Sequence, residues 1–98
     1  MSTYDIERYP QIRESVVAAL IAYAERRRPV GDFLTAVLRN DLRDTIGRAD
    51  DENLAALLYI VRFVYQELPS GCWGSREKIK VWMAHEGLAG LLGVSANG

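Results

Sequence analysis

The sequence predicts an all-α fold: a compact bundle of about four helices, in a symmetric homo-oligomer. Three observations carry this expectation. Apolar residues recur at spacings of three and four along most of the chain. Prolines and Gly-containing turns fall between those periodic stretches. One stretch is apolar on two sides, which asks for more cover than one small monomer supplies. The 98 residues read as a single helical domain, 1–98, with residues 1–6 and 94–98 expected to fray. A core of this size is modest, so burial between copies would add to stability.

The first helix is predicted from Tyr9-Pro10, because proline at a first helical position is pre-set in φ. Ile12, Val16, Ala19, Leu20 and Tyr23 supply its apolar face, and Pro29 ends it near Arg26-Arg27-Arg28. Pro29-Val30-Gly31 is a tight turn. A second helix is predicted over Asp32–Ile46, with Gly47 as its C-cap. A third is predicted over Asp50–Leu68, opening on Asp50-Asp51-Glu52 at its positive end. Gly74 permits a turn and Ser75 caps a fourth helix near Arg76–Glu86, stopped by Gly87. Leu88, Leu91 and Leu92 suit a last packed turn.

Projected at about 100° per residue, the third helix gathers Leu54, Leu57, Leu58, Ile60, Val61, Val64, Tyr65 and Leu68 on one broad face. Ala56, Tyr59 and Phe63 fall on the other side. Tyr59 and Phe63 are therefore expected to be an oligomer interface, and the competing reading covers them within one monomer by a fourth helix or the C-terminal tail.

The net charge of −1 argues against a binder of DNA or RNA polymers. The single cysteine, Cys72, excludes an internal disulfide and a multi-cysteine metal site, and fits a reducing cytosol. The N-terminus has no basic region followed by an apolar run, so no signal peptide is expected. No apolar run is long enough to span a membrane. Cys72 has no histidine close in sequence, and His85 reads as a surface residue near a helix end. No metal or nucleotide motif is present, so the chain is expected to be no enzyme and to need no cofactor.

The strongest binding signal is Arg26-Arg27-Arg28 immediately before the Pro29-Val30-Gly31 turn. Guanidinium forks beside turn amides suit phosphate. The plainer reading is favourable positive charge at a helix C-terminus. Asp41 projects into the apolar arc of the second helix and is expected to be a largely buried, hydrogen-bonded structural carboxylate, with Arg62 or a loop amide as partner. Arg39 and Arg43 repel unless Asp44 or the Asp50-Asp51-Glu52 cluster neutralises them.

Several stretches carry a resemblance: Pro29-Val30-Gly31-Asp32-Phe33-Leu34-Thr35-Ala36-Val37-Leu38-Arg39-Asn40-Asp41-Leu42, Ala49-Asp50-Asp51-Glu52-Asn53, Ile60-Val61-Arg62-Phe63, and Pro69 through Cys72-Trp73-Gly74-Ser75. From Tyr9 to Trp82 the chain resembles a set of small proteins of tailed phages and prophages, which includes the anti-CBASS cyclic-oligonucleotide sponges. The resemblance implies a small helical protein, assembled as a hexamer in the cytoplasm of an infected bacterial host. It would sequester cyclic di- or trinucleotide signals at subunit interfaces, the turn of one copy facing the start of the first helix of a neighbour, without cleaving them. It also implies a base-stacking tyrosine and a basic residue before the turn. Tyr9 and Arg28 are the nearest matches, with Arg26, Val30 and Gly31 completing the ligand site. Tyr9 sits slightly early in the sequence, and Tyr23 lies too deep in the apolar face to replace it. Val30 stands where relatives carry threonine, so only its amide would meet phosphate.

Rival readings are a phage inhibitor that docks on a bacterial defence complex, with Tyr59, Phe63 and the arginines as anchors, a DNA-binding adaptor, and an enzyme. The first is the principal alternative.

Overall fold

The computed structural model describes residues 4–84. Among these residues there are six α-helices, two short 3-10 turns and no strand. The helices are α1 (Glu14–Arg26), α2 (Asp32–Leu38), α3 (Leu42–Arg48), α4 (Asp51–Ala55), α5 (Leu57–Glu67) and α6 (Arg76–Ala84). The 3-10 turns are Ile6–Arg8 and Ser70–Cys72. No described helix is long and apolar enough to cross a membrane. His85, Gly87, Leu88, Leu91 and Leu92 lie outside the described residues, as do 1–3 and 94–98 of the ends expected to fray.

The helical class holds, but two predicted helices are broken and one starts late. The first helix begins at Glu14, not at Tyr9-Pro10. The Tyr9 carbonyl accepts from the Ile12 amide at 3.2 Å, which places Pro10 second in a β-turn, a position its fixed φ suits. The second predicted helix splits at Asn40, whose φ of +65° is left-handed. Asparagine tolerates that region better than most residues. The Asn40 amide donates to the Val37 carbonyl and the Asp41 amide to Ala36, the bond pair of a Schellman stop. Asp41 then caps α3, accepting from the Asp44 amide at 3.0 Å. Gly47 lies inside α3, which ends at Ala49 in extended backbone, so Gly47 is no C-cap.

Other local signals act as read. Asp50 caps α4 by accepting from the Asn53 amide at 2.7 Å. Ser75 Oγ accepts from the Lys78 amide. Gly74 sits at φ +118° and donates its amide to the Leu38 carbonyl. Ala56 is the slight irregularity that separates α4 from α5.

The core runs along α1, whose Val16, Val17, Leu20, Tyr23 and Ala24 are buried. Leu34 and Leu38 from α2, Ile60, Phe63 and Val64 from α5, and Trp82 from α6 close on it. Two polar bonds inside this core set the chain's register. Tyr23 Oη donates to the Cys72 carbonyl at 2.7 Å, and Trp82 Nε1 donates to the Tyr23 carbonyl at 3.2 Å. They tie α1, the second 3-10 turn and α6 together, and they satisfy groups whose burial would otherwise cost stability.

The N-terminal segment closes the core over α5. Tyr4 and Tyr9 are buried against Phe63, with ring centroids 6.4 and 5.1 Å away. The Asp5 amide donates to Glu67 Oε1 at 3.0 Å. Residues 4–6 are therefore packed or tethered rather than frayed. The shortest extent of the molecule, 18 Å, is about two helix layers. A helix in such a slab has one side in the core and one side open.

Candidate binding surfaces

The cationic turn lies at the C-terminal end of α1. Arg27 takes a left-handed conformation, φ +43°, and stops the helix. Its Nη1 donates to the Met83 carbonyl at 3.0 Å, so this guanidinium is spent on the last turn of α6. Arg26 and Arg28 are exposed and make no ion pair among the described residues. Three arginines elsewhere are held, Arg13 by Asp50 and Glu52, Arg39 by Asp41 and Asp44, and Arg48 by Asp32 and Asp44, whereas Arg43, Arg62 and Arg76 are exposed and, like Arg26 and Arg28, make no ion pair among the described residues. Val30 is half-buried against the core and Gly31 is exposed. Thr35 Oγ1 donates to the Gly31 carbonyl at 2.8 Å, which braces the turn from behind. Asp32 follows at once, and its charge is offset by Arg48 at 3.2 Å.

Tyr9 does not join this site within one chain. It stands before α1, whose 13 residues rise about 20 Å. Its ring is only 4 % exposed and edge-on to Phe63, and its hydroxyl donates to Gln66 Oε1 at 2.7 Å. Burial, with Glu67 alongside, raises the phenol pKa. Base stacking needs an open ring face, and Tyr9 presents none here. Tyr9 also borders a cleft of about 560 Å³ with Ile6, Pro10, Ile12 and Glu14. That cleft holds a carboxylate and no cation, so it does not suit phosphate.

Phe63 is likewise not an exposed interface residue. It is fully buried in its own chain, and Tyr59 is half-buried against the same core. The reason is a rotation of the whole helix relative to the predicted orientation. Ala56, Tyr59, Ile60, Phe63 and Val64 face inward. The outward side carries Leu54, Leu58, Val61 and Tyr65 instead, with Leu58 64 % and Tyr65 70 % exposed. The cover comes from the N-terminal segment, whose Tyr4 and Tyr9 rings pack on Phe63. Two aromatics placed before the first helix, Tyr4 and Tyr9, were the available signal.

The open face continues onto α3. Leu42 is 72 % exposed and Ile46 is exposed. Leu42 and Thr45 share a shallow groove of about 180 Å³ with Leu57 and Val61, which joins the two helices into one surface. Tyr65 reaches the Trp73 ring at a centroid distance of 5.8 Å and closes the far end.

Asp41 is hydrogen-bonded inside its chain, as expected, but its side chain is 39 % exposed because it caps a helix instead of lying within one. Its partner is Arg39 rather than Arg62. The bond from the Asp44 amide, helped by Arg39, holds its carboxyl below the usual range. Arg39 is neutralised by Asp41 and Asp44, while Asp50 and Glu52 serve Arg13. Cys72 is buried, and desolvation pushes its thiol up to about 12, which makes a thiolate nucleophile unfavourable at neutral pH. No group of three or more His, Cys, Asp or Glu is placed to hold a metal among the described residues.

No protein-family model matches the chain, and neither a curated protein nor a solved structure matches it.

Proposed function

We propose that this chain is a non-catalytic binding protein that captures an anionic signal of the cyclic di- or trinucleotide class at the Arg26–Gly31 turn. The observation that carries the reading is the pair Arg26 and Arg28. They are exposed and unpaired among the described residues, as Arg43, Arg62 and Arg76 also are, and they are the pair that stands directly beside the Pro29-Val30-Gly31 turn. Free guanidinium groups beside turn amides suit phosphodiester oxygens, and local positive potential is enough in a protein of near-neutral charge. Sequestration needs no general base, and the buried thiol of Cys72 agrees with a role other than nucleophilic chemistry. Following the resemblance, the setting is phage defence evasion in the bacterial cytoplasm, with a hexamer as the working form. Any aromatic partner for the base comes from elsewhere than Tyr9 in the packing seen here.

Calorimetry with a panel of cyclic di- and trinucleotides tests the reading. One of them should bind and be recovered chemically intact. Arg28→Ala should weaken it about tenfold to a hundredfold. Arg43→Ala, an exposed arginine outside the turn, should bind as the parent does. A parent chain that binds none of the panel refutes the reading.

The second reading, docking on a bacterial protein complex, is favoured by one observation: the open apolar face of α3, α4 and α5.

A further inference from the structure

The exposed seam of α4 and α5, formed by Leu54, Leu58, Val61 and Tyr65, ends on an aromatic pair. Tyr65 is 70 % exposed, and its ring plane meets that of the half-buried Trp73 at 63°. Trp73 is fixed by its loop. Its Nε1 donates to the Leu68 carbonyl, and the next amide, that of Gly74, donates to the Leu38 carbonyl. The contact therefore steadies the Tyr65 ring without covering it.

Such a pair suits two kinds of ligand, an organic cation held on the ring faces or a flat ring stacked on one of them. The surrounding charges separate the two. Arg62 stands one helical turn before Tyr65, exposed and without an ion pair among the described residues. The Lys78 ammonium lies by the loop that carries Trp73, 3.4 Å from the Ser70 carbonyl. Glu67, two residues and so about 200° around the helix from Tyr65, is committed elsewhere. It accepts from the Asp5 amide and the Tyr9 hydroxyl. Positive neighbours repel an organic cation and attract an anion.

We propose that Tyr65, Trp73, Arg62 and Lys78 form a stacking site for a purine nucleotide. The base lies on the open face of Tyr65, its phosphate meets the Arg62 guanidinium, and Lys78 adds to the positive potential. A purine gives the larger flat area to a ring braced on one side only. The site is shallow, so its dissociation constant is on the order of 1 mM. It makes no use of the Arg26–Gly31 turn and stands or falls apart from the reading given above.

Trp82 is fully buried, so quenching of tryptophan fluorescence reports on Trp73. Adenosine 5′-monophosphate should quench it. Adenosine and ribose 5-phosphate each lack one half of the recognition, and each should bind about fivefold more weakly or worse. Tyr65→Ala should weaken the nucleotide about fivefold or more, Tyr65→Phe should keep it, and Arg62→Gln should reduce it to the level of adenosine. Tyr65 and Arg62 are outside the core, so these variants should keep the parent's circular dichroism and melting curve. Arg28→Ala should leave the quenching unchanged, and a loss there places the nucleotide at the turn and overturns the site. Equal binding of adenosine and its monophosphate overturns the role of Arg62. A parent chain whose fluorescence and Tyr65 ring resonances both ignore millimolar nucleotide overturns the site and leaves the aromatic pair to a protein partner.

Discussion

The two sides of α5 are almost equally apolar, yet they have opposite fates. The inner side, Tyr59, Ile60, Phe63 and Val64, lies against α1 and under Tyr4 and Tyr9. The outer side, Leu58, Val61 and Tyr65, is open. The difference teaches that hydropathy locates a surface in need of cover without saying which element supplies it. Burial is non-directional, so a helix with two apolar faces is oriented by whatever packs on it first and best. Here the N-terminal segment decides: it brings two aromatic rings to Phe63 and fastens itself to Gln66 and Glu67 at the end of the helix.

The sharpest way to break this contrast is to truncate one large side chain on each side. Phe63→Ala should destabilise the monomer by about 3–5 kcal/mol through lost burial and the cavity left behind. Leu58→Ala should move monomer stability by no more than about 0.5 kcal/mol, because it removes surface already in water. Urea unfolding at a concentration where the chain is monomeric compares them. Equal losses would show that α5 is turned the other way.

A smaller effect tests the fastening of the cover. Tyr9→Phe keeps the edge-on contact with Phe63 and removes the hydroxyl bond to Gln66. It should cost about 1 kcal/mol and raise hydrogen exchange in residues 4–9 ahead of the rest of the core. Uniform exchange across the chain would mean that the segment is not a separable cover.

The smallest effect sharpens the contrast through pH. Asp50, the cap that starts the α4–α5 stretch, has its carboxyl pKa held below the ordinary 3.8 by the Asn53 amide and then by Arg13. The unfolded chain therefore binds its proton first as pH falls. The resulting stability is present above pH about 4 and is lost as pH drops through the lower folded value. Asp41 behaves in the same way at α3. Melting curves between pH 6 and 3 should show a falloff that is reduced in Asp50→Asn, and an unchanged falloff would remove Asp50 from the account.

Much of the local architecture was legible from residue types alone. Pro29 bars the helix from continuing through Arg28, and the left-handed Arg27 stops it just before, at Arg26. Asp50 and Ser75 cap because short oxygens reach the amides three residues on, and Gly74 stands where a left-handed φ is required. Asn40-Asp41 carried a stop and a start in two adjacent residues, a signal masked by the apolar periodicity that runs through both sides of it. Of the proposed ligand site, the sequence marked the cationic turn, and the structure leaves Arg26 and Arg28 without ion pairs among the described residues while diverting Arg27 to Met83. Tyr9, expected to reach that turn from a neighbouring copy, is instead packed edge-on against Phe63 of its own chain, and burial by a distant element is not encoded in a residue's own type.

By itself, then, the sequence determined the helical class, the caps and the position of the cationic turn, since each depends on a residue and its neighbours within one helical turn. Only the tertiary structure decided the orientation of α5, the burial of Tyr9 and Phe63, and the exposure of the Leu54–Tyr65 seam. Those depend on contacts such as Tyr9 with Gln66, 57 positions apart, whose stabilisation exists only after the chain has closed on itself.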